Sequence, residues 1–250
     1  MLAKRFNKVL IRNMKLKSWI LLSLLIALVV ACGGDDEEPE QPIDPNRGKS
    51  YFFLEPGKYR EYNVYEIRYS GVGFSDTSEY QIRVEVGEGF TSGGETSHLV
   101  NRFRREDATE RWELDSVWTA RIEGNKGISV ENNVPIVKMT FPLDTGNRWD
   151  SNLLNSRQPV VSRVVNFNSN FTVGLNTFLK TAEVEFSNFD DGIVDRFISK
   201  EVYRDSIGMI YKLYDSVKYC TRDCQLGSQI VQSGRYYREE LIAHGFLDED

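Results

Sequence analysis

The chain has 250 residues, 40% hydrophobic and 27% charged, with a net charge of −6. That length allows one large or two small globular domains. Lys4, Arg5, Lys8, Arg12, Lys15 and Lys17 all precede the first acid; taking those six from the 31 basic residues leaves 25 against 37 acidic ones, a net of −12. A body that acidic excludes nucleic acid as an expected partner, because phosphate contacts need clustered Lys and Arg.

Residues 1–31 read as a signal peptide. Basic residues come first, then the apolar run Trp19–Val30, then Ala31 and Cys32. Twelve residues at about 1.5 Å each reach about 18 Å, short of a hydrocarbon core of about 30 Å. The run is therefore an export segment and not a membrane span. Met1 and Met14 are both candidate starts, and an n-region that begins at Met14 has the more usual length.

The stretch Leu28–Cys32, "LVVAC", resembles the lipobox of bacterial lipoproteins. The resemblance implies acylation of the Cys32 thiol, cleavage before it, and the lipid bilayer as a partner; several acyl chains suffice for stable anchoring. The following "GGDDEEPE" is similar to the acidic export signal of Bacteroidetes-type lipoproteins, which implies the outer face of the outer membrane, with the periplasmic face as the alternative. Residues 32–50, rich in Gly, Pro and acids, read as a flexible tether that cannot bury a core.

From Tyr51 to residue 250, strand signals dominate. "TSEYQIRVEV" places Tyr80, Ile82, Val84 and Val86 on one face and Gln81, Arg83 and Glu85 on the other, the mark of a half-buried strand. "KYREYNVYEIRY" groups Tyr59, Tyr65, Ile67 and Tyr69; "RWELDSVWTARI" groups Trp112, Leu114, Trp118 and Ala120; "VPIVKMTF" groups Val137, Met139 and Phe141. Gly, Asn, Asp and Ser clusters separate eight to ten such segments. A short helical turn over Val194–Val202 is the one helical candidate. The expected fold is all-β: a single antiparallel β domain built as a curved sheet, an open barrel or a sandwich. Phe52–Tyr62 and Phe141–Asp150 share a Leu, an acid and then a Gly, which reads as a recurrent tight turn.

The segments "YFFLEPGKYREYNV", "PLDTGNRWDSN", "EVYRDSIGMIYKL" and "SGRYYREELIAHG" are similar, in this order, to segments of uncharacterised Bacteroidetes lipoproteins. That resemblance implies a β-rich exported body and no known activity. In the first segment Pro is displaced and Tyr59 stands where Trp is usual.

No catalytic constellation stands out: there is no Gly-x-Ser-x-Gly elbow, phosphate loop or dinucleotide fingerprint. No cofactor is expected. His98 and His244 are far apart and read as surface residues. Asn188, Asp190, Asp191 and Asp195 depart from a calcium-loop spacing and read as a turn. Glu239 and Glu240 are adjacent, so on a strand they face opposite ways and cannot form a glycosidase pair. With Cys32 acylated, Cys220 and Cys224 remain as an even pair in an oxidising compartment, read as a disulfide, with a free or redox pair as the alternative. Asp-Ser-aliphatic tripeptides at Ser116, Ser206 and Ser216 resemble the O-glycosylation signal of Bacteroidetes-type systems, which implies exposed acceptors. The expected function is a membrane-anchored, surface-exposed lipoprotein with a non-catalytic binding or envelope-assembly domain. Its candidate partners are a glycan, a small apolar ligand or an envelope protein. The alternatives are an interaction protein without a pocket and an unrecognised hydrolase. The aromatic faces Tyr59–Tyr69 and Trp112–Trp118 are read as core or as the lining of a site.

Overall fold

The computed structural model describes residues 42–247. Twelve strands follow one another: β1 (Lys58–Gly71), β2 (Phe74–Ser92), β3 (Glu95–Arg105), β4 (Glu113–Glu123), β5 (Lys126–Glu131), β6 (Val134–Thr140), β7 (Arg148–Asp150), β8 (Val161–Val173), β9 (Asn176–Asp190), β10 (Asp195–Arg204), β11 (Gly208–Tyr219) and β12 (Val231–Phe246). All lie antiparallel in one sheet. Around the sheet the strands keep chain order, and the first pairs with the last from Lys58 opposite Phe246 to Tyr69 opposite Gly234. The result is an up-and-down, nearly closed barrel. The seam falls mid-chain, between β6 and β7, where Val137 N–H donates to Ser151 O at 3.0 Å and Trp149 Nε1 donates to Val137 O at 2.8 Å. Closure removes the unpaired edges that an open sheet would present.

The structure decides among the expected architectures in favour of the barrel. It adds strands to the expected eight to ten. The only helical element among the described residues is a 3-10 turn at Lys49–Tyr51. The helical candidate at Val194–Val202 is β10 instead: it is paired on both sides, to β9 and β11, and ladder bonds on two edges outweigh a short segment's local preference.

The recurrent turn occupies equivalent places. Gly57 and Gly146 have φ of 79° and 88°, a region open to glycine at no steric cost. Gly57 N–H donates to Val86 O on β2, and Gly146 N–H donates to Val164 O on β8, both at 2.8 Å. Each turn thus opens a six-strand run and ties itself to the second strand of that run.

In a barrel of alternating connections, the β1–β2, β3–β4, β5–β6, β7–β8, β9–β10 and β11–β12 loops share one end. The chain enters at the other end, which it closes. Arg47 Nε donates to Leu143 O at 3.0 Å, its guanidinium pairs with Asp144 at 2.5 Å, and Ser206 N–H donates to Ser50 O at 3.0 Å. Tyr51, Phe52, Phe141 and Leu143 are buried here as an apolar plug. Gly127 on β5 has no side chain to obstruct Phe52; a Cβ there would lie 2.9 Å from the ring. Residues 47–51 thus pack as part of this end of the barrel.

Strand faces follow the predicted alternation on β2, where Tyr80, Ile82, Val84 and Val86 are all buried. On β1 the face is reversed. Arg60, Tyr62, Val64 and Glu66 are buried, and Tyr59, Tyr65, Ile67 and Tyr69 face outward and are half-buried. The interior here is polar, so apolar content does not mark the inward side. On β4 a bulge sets Arg102 opposite Ser116 but Phe103 opposite Leu114. The extra residue, Asp115, reverses the parity, so Trp118 and Ala120 point inward and Leu114 outward. The outer face carries ion pairs, including Arg83–Glu85 at 3.1 Å and Arg163–Glu185 at 2.8 Å. A surface with charges there faces water and is not the apolar band of a membrane barrel.

Candidate functional site

An eight-stranded barrel is just wide enough for its own side chains, and diameter grows with strand number. Twelve strands leave space. A cavity of about 980 Å³ lies inside the barrel on the side away from the plug, and opens between the loops of the far end. It stands at the upper end of the usual ligand-pocket range.

Its floor is a layer of buried charge. Lys138 reaches across the lumen from β6 to Glu201 on β10 at 2.7 Å and to Glu131 on β5 at 2.9 Å; Lys212 joins Glu201 at 3.2 Å. Arg102 on β3 pairs with Glu239 on β12 at 3.1 Å. The Tyr203 hydroxyl donates to Glu201, and the Tyr237 hydroxyl donates to Glu239. Higher up, Glu66 accepts from Tyr80 at 3.0 Å and Arg235 at 2.7 Å. Buried charges survive only when paired and hydrogen-bonded, and each of these is.

The titration of the layer follows from this pairing. Burial opposes ionisation of Glu131, but Lys138 and Lys212 outweigh it and hold the carboxyl down to about 2. Glu201 is lowered against the same burial by the same two lysines. Burial would strip the Lys138 proton, yet Glu131 and Glu201 raise its pKa. Burial and the neighbouring Glu66 push the Tyr80 hydroxyl up to about 12.

Three polar atoms of the floor are buried without a partner among the described residues: Trp118 Nε1, Arg102 Nε and Glu239 Oε2. Each such atom costs about 1–3 kcal/mol unless something answers it. They adjoin one another, since the Arg102 guanidinium lies 4.3 Å from the Trp118 ring centroid and bonds Glu239 through Nη2.

Sequence reasoning missed most of this layer. Lys138 sits between the buried Val137 and Met139. Gly127 pairs with Met139 and Ile128 with Val137, so Lys138 is the extra residue of a bulge, turned into the lumen. Glu239 was legible: it shares strand parity with the buried Tyr237 and Leu241, and Glu240 points outward near Arg238 at 3.6 Å. Of the predicted aromatic faces only Trp118 lines the cavity. Trp112 stacks outside under Arg105, 4.1 Å from guanidinium to ring centroid.

Cys32 lies outside the described residues. Cys220 and Cys224 form a disulfide in the β11–β12 loop, with Cα atoms 5.9 Å apart. Closing a five-residue loop is worth about 2 kcal/mol. Replacing both cysteines with serine is expected to lower the melting temperature by about 4–8 °C; an unchanged calorimetric transition would count against that contribution. Ser206 is exposed in the β10–β11 turn, and Ser116 and Ser216 line the cavity, half-buried. In protein from its own host, glycan is expected first on Ser206, the most accessible of the three. An intact mass without added sugar would refute the acceptor reading.

His98 is half-buried, with Nδ1 3.3 Å from Gly87 O, and His244 is exposed on β12. The Asp190–Asp195 turn uses its carboxylates on its own backbone. Asp191 Oδ1 accepts from Ile193 at 2.8 Å and Val194 at 2.7 Å, and these bonds lower its pKa. Among the described residues no group of three or more His, Cys, Asp or Glu could hold a metal.

The fold and lumen define a class: a water-facing, up-and-down β-barrel, plugged at one end and hollow, charged and open at the other. No family model matches the chain, and no curated protein matches it. Among solved structures it is similar to a presumed exported protein with a YmcC-like fold from Bacteroides fragilis, with 10% identity, 76% of this chain and 96% of that chain covered, and a TM-score of 0.42. It is also similar to a presumed lipoprotein from Parabacteroides distasonis, at 7% identity, with 78% and 98% covered and a TM-score of 0.37. At these values neither likeness bears on function.

Proposed function

We propose that the chain is a bacterial envelope lipoprotein, anchored in the outer membrane through acylated Cys32 and exposed at the cell surface, whose barrel binds a ligand in its lumen without transforming it. The observation that carries the binding role is the 980 Å³ cavity, floored by paired charges and open at the end opposite the entering chain. The lipobox-like "LVVAC" and the acidic residues after it support the anchor and the address. Native mass spectrometry of the protein purified from its own host tests the binding role. A non-covalent adduct released on unfolding is expected. A bare mass, together with no thermal stabilisation by glycans, lipids or envelope peptides, would overturn it. Protease treatment of intact cells tests the address; a barrel shielded until the outer membrane is opened would place it on the periplasmic face.

One observation favours docking of an envelope protein as a second reading. Phe74 in the β1–β2 hairpin, Leu226 in the β11–β12 loop and Val161 at the start of β8 are 72%, 61% and 65% exposed at the open end. Apolar groups at a barrel's mouth can seat the apolar face of a partner. Photocrosslinking from position 74 in cells would capture such a partner.

A further inference from the structure

The lumen's lining narrows the chemistry of what it holds. Of its 27 residues only three are aliphatic, Ile82, Ile136 and Val160. An acyl chain seeks aliphatic walls; these walls are aromatic rings, serine hydroxyls, asparagine amides and charge. Seven lining residues are basic and four acidic, in a chain whose own net charge is −6. Glu66 pairs with Arg68 and Arg235 and Glu106 with Arg104, so the excess is small and Arg157 is the lining cation left without a carboxylate among the described residues.

The floor adds a pattern of need. Trp118 Nε1 and Arg102 Nε are donors without acceptors, and Glu239 Oε2 is an acceptor without a donor. Glu239 is 1% exposed and Arg102 is 8% exposed, both at the floor of the cavity. A group that complements all three must accept two hydrogen bonds and donate one over a few ångströms. Neighbouring sugar hydroxyls do both, since each hydroxyl is donor and acceptor at once. At the mouth, on the β7–β8 loop, Arg157 is exposed and has no carboxylate partner among the described residues. A guanidinium so placed takes an oxyanion in bidentate fashion.

Building on the lumenal binding role argued above, we propose that the barrel's ligand is an acidic saccharide. Its hydroxyls meet Trp118, Arg102 and Glu239 at the floor, and its carboxylate meets Arg157 at the mouth.

Isothermal titration of the full chain in detergent, with trigalacturonic acid as probe, tests this. Its methyl ester, phosphatidylglycerol vesicles and sodium sulfate serve as comparisons. The free acid is expected to bind, with an affinity that falls as salt rises. Trp118→Phe keeps the ring and removes the donor, and Arg157→Gln changes an exposed loop residue. Each is expected to weaken binding about tenfold; Arg157→Gln leaves the melting temperature unchanged, and Trp118→Phe is compared as a variant that keeps one cooperative unfolding transition. Equal affinity for the methyl ester, or no loss in either variant, would refute the acidic saccharide but leave lumenal binding intact. Binding of the vesicles alone would assign the lumen to a lipid, and binding of sulfate alone would leave only an anion site. Either result refutes the saccharide. Silence from every probe, with no adduct on the native protein, would remove both this inference and the binding role beneath it.

Discussion

Lys138→Met is expected to destabilise the barrel by about 3–5 kcal/mol. The substituted side chain nearly matches lysine in length, so the loss isolates charge. Lys138 is the shared partner of Glu131 and Glu201, at 2.9 and 2.7 Å. Without it Glu201 keeps Lys212 at 3.2 Å, but Glu131 keeps no ion pair among the described residues. Stranding a buried charge costs about 3–5 kcal/mol, whereas exchanging a whole buried pair for apolar residues costs little. In a domain of this size that is a fall of about 6–20 °C in melting temperature. Denaturant unfolding would read it directly, and a loss under 1 kcal/mol would show that water already reaches the layer. The pH dependence follows with a definite sign. The folded Glu131 carboxyl titrates at about 2, below its ordinary 4.5. Its contribution is therefore complete above pH 4.5 and is lost as pH falls from there toward 2. Lys138→Met removes much of that slope, so wild-type and variant stabilities are expected to converge in acid.

Cys32→Ala is expected to move the protein out of the outer-membrane fraction and to abolish its labelling by a clickable fatty acid. The thiol is the acylation point that "LVVAC" implies, and alanine offers none. Each buried methylene is worth about 0.8 kcal/mol, and two or more chains make an anchor effectively stable. The apolar run Trp19–Val30 cannot replace that anchor, because it reaches about 18 Å of a core of about 30 Å. A variant that remained both in the outer membrane and lipid-labelled would refute the assignment.

β2 shows how a sequence announces a strand: strict alternation from Tyr80 to Val86, with every predicted inward residue buried. β1 shows the limit of that reading. Tyr59, Tyr65 and Tyr69 lie outside while Tyr62 lies inside, because the inward face also carries Arg60 and Glu66, each answered by a group far along the chain. Arg60 donates to Ile207 O at 2.9 Å, and Glu66 accepts from Arg235 at 2.7 Å. Alternation supplies a period but not which side is in, once the core is polar. Bulges compound this: Asp115 and Lys138 each reverse parity by one inserted residue, and neither is marked by a glycine.

The all-β class, the turns at Gly57 and Gly146, the expected Cys220–Cys224 disulfide and the opposite facing of Glu239 and Glu240 were legible along the chain. All of these are local, set by dihedral preference, side-chain period or short loops. What needs the tertiary structure is that twelve strands curl into one nearly closed barrel, that its first strand pairs with its last while the seam falls between β6 and β7, and that the lumen is hollow and charged. Closure depends on the sum of twist and bulge over the whole sheet. Lys138–Glu201 and Arg102–Glu239 span 63 and 137 residues, so no local pattern contains either pair.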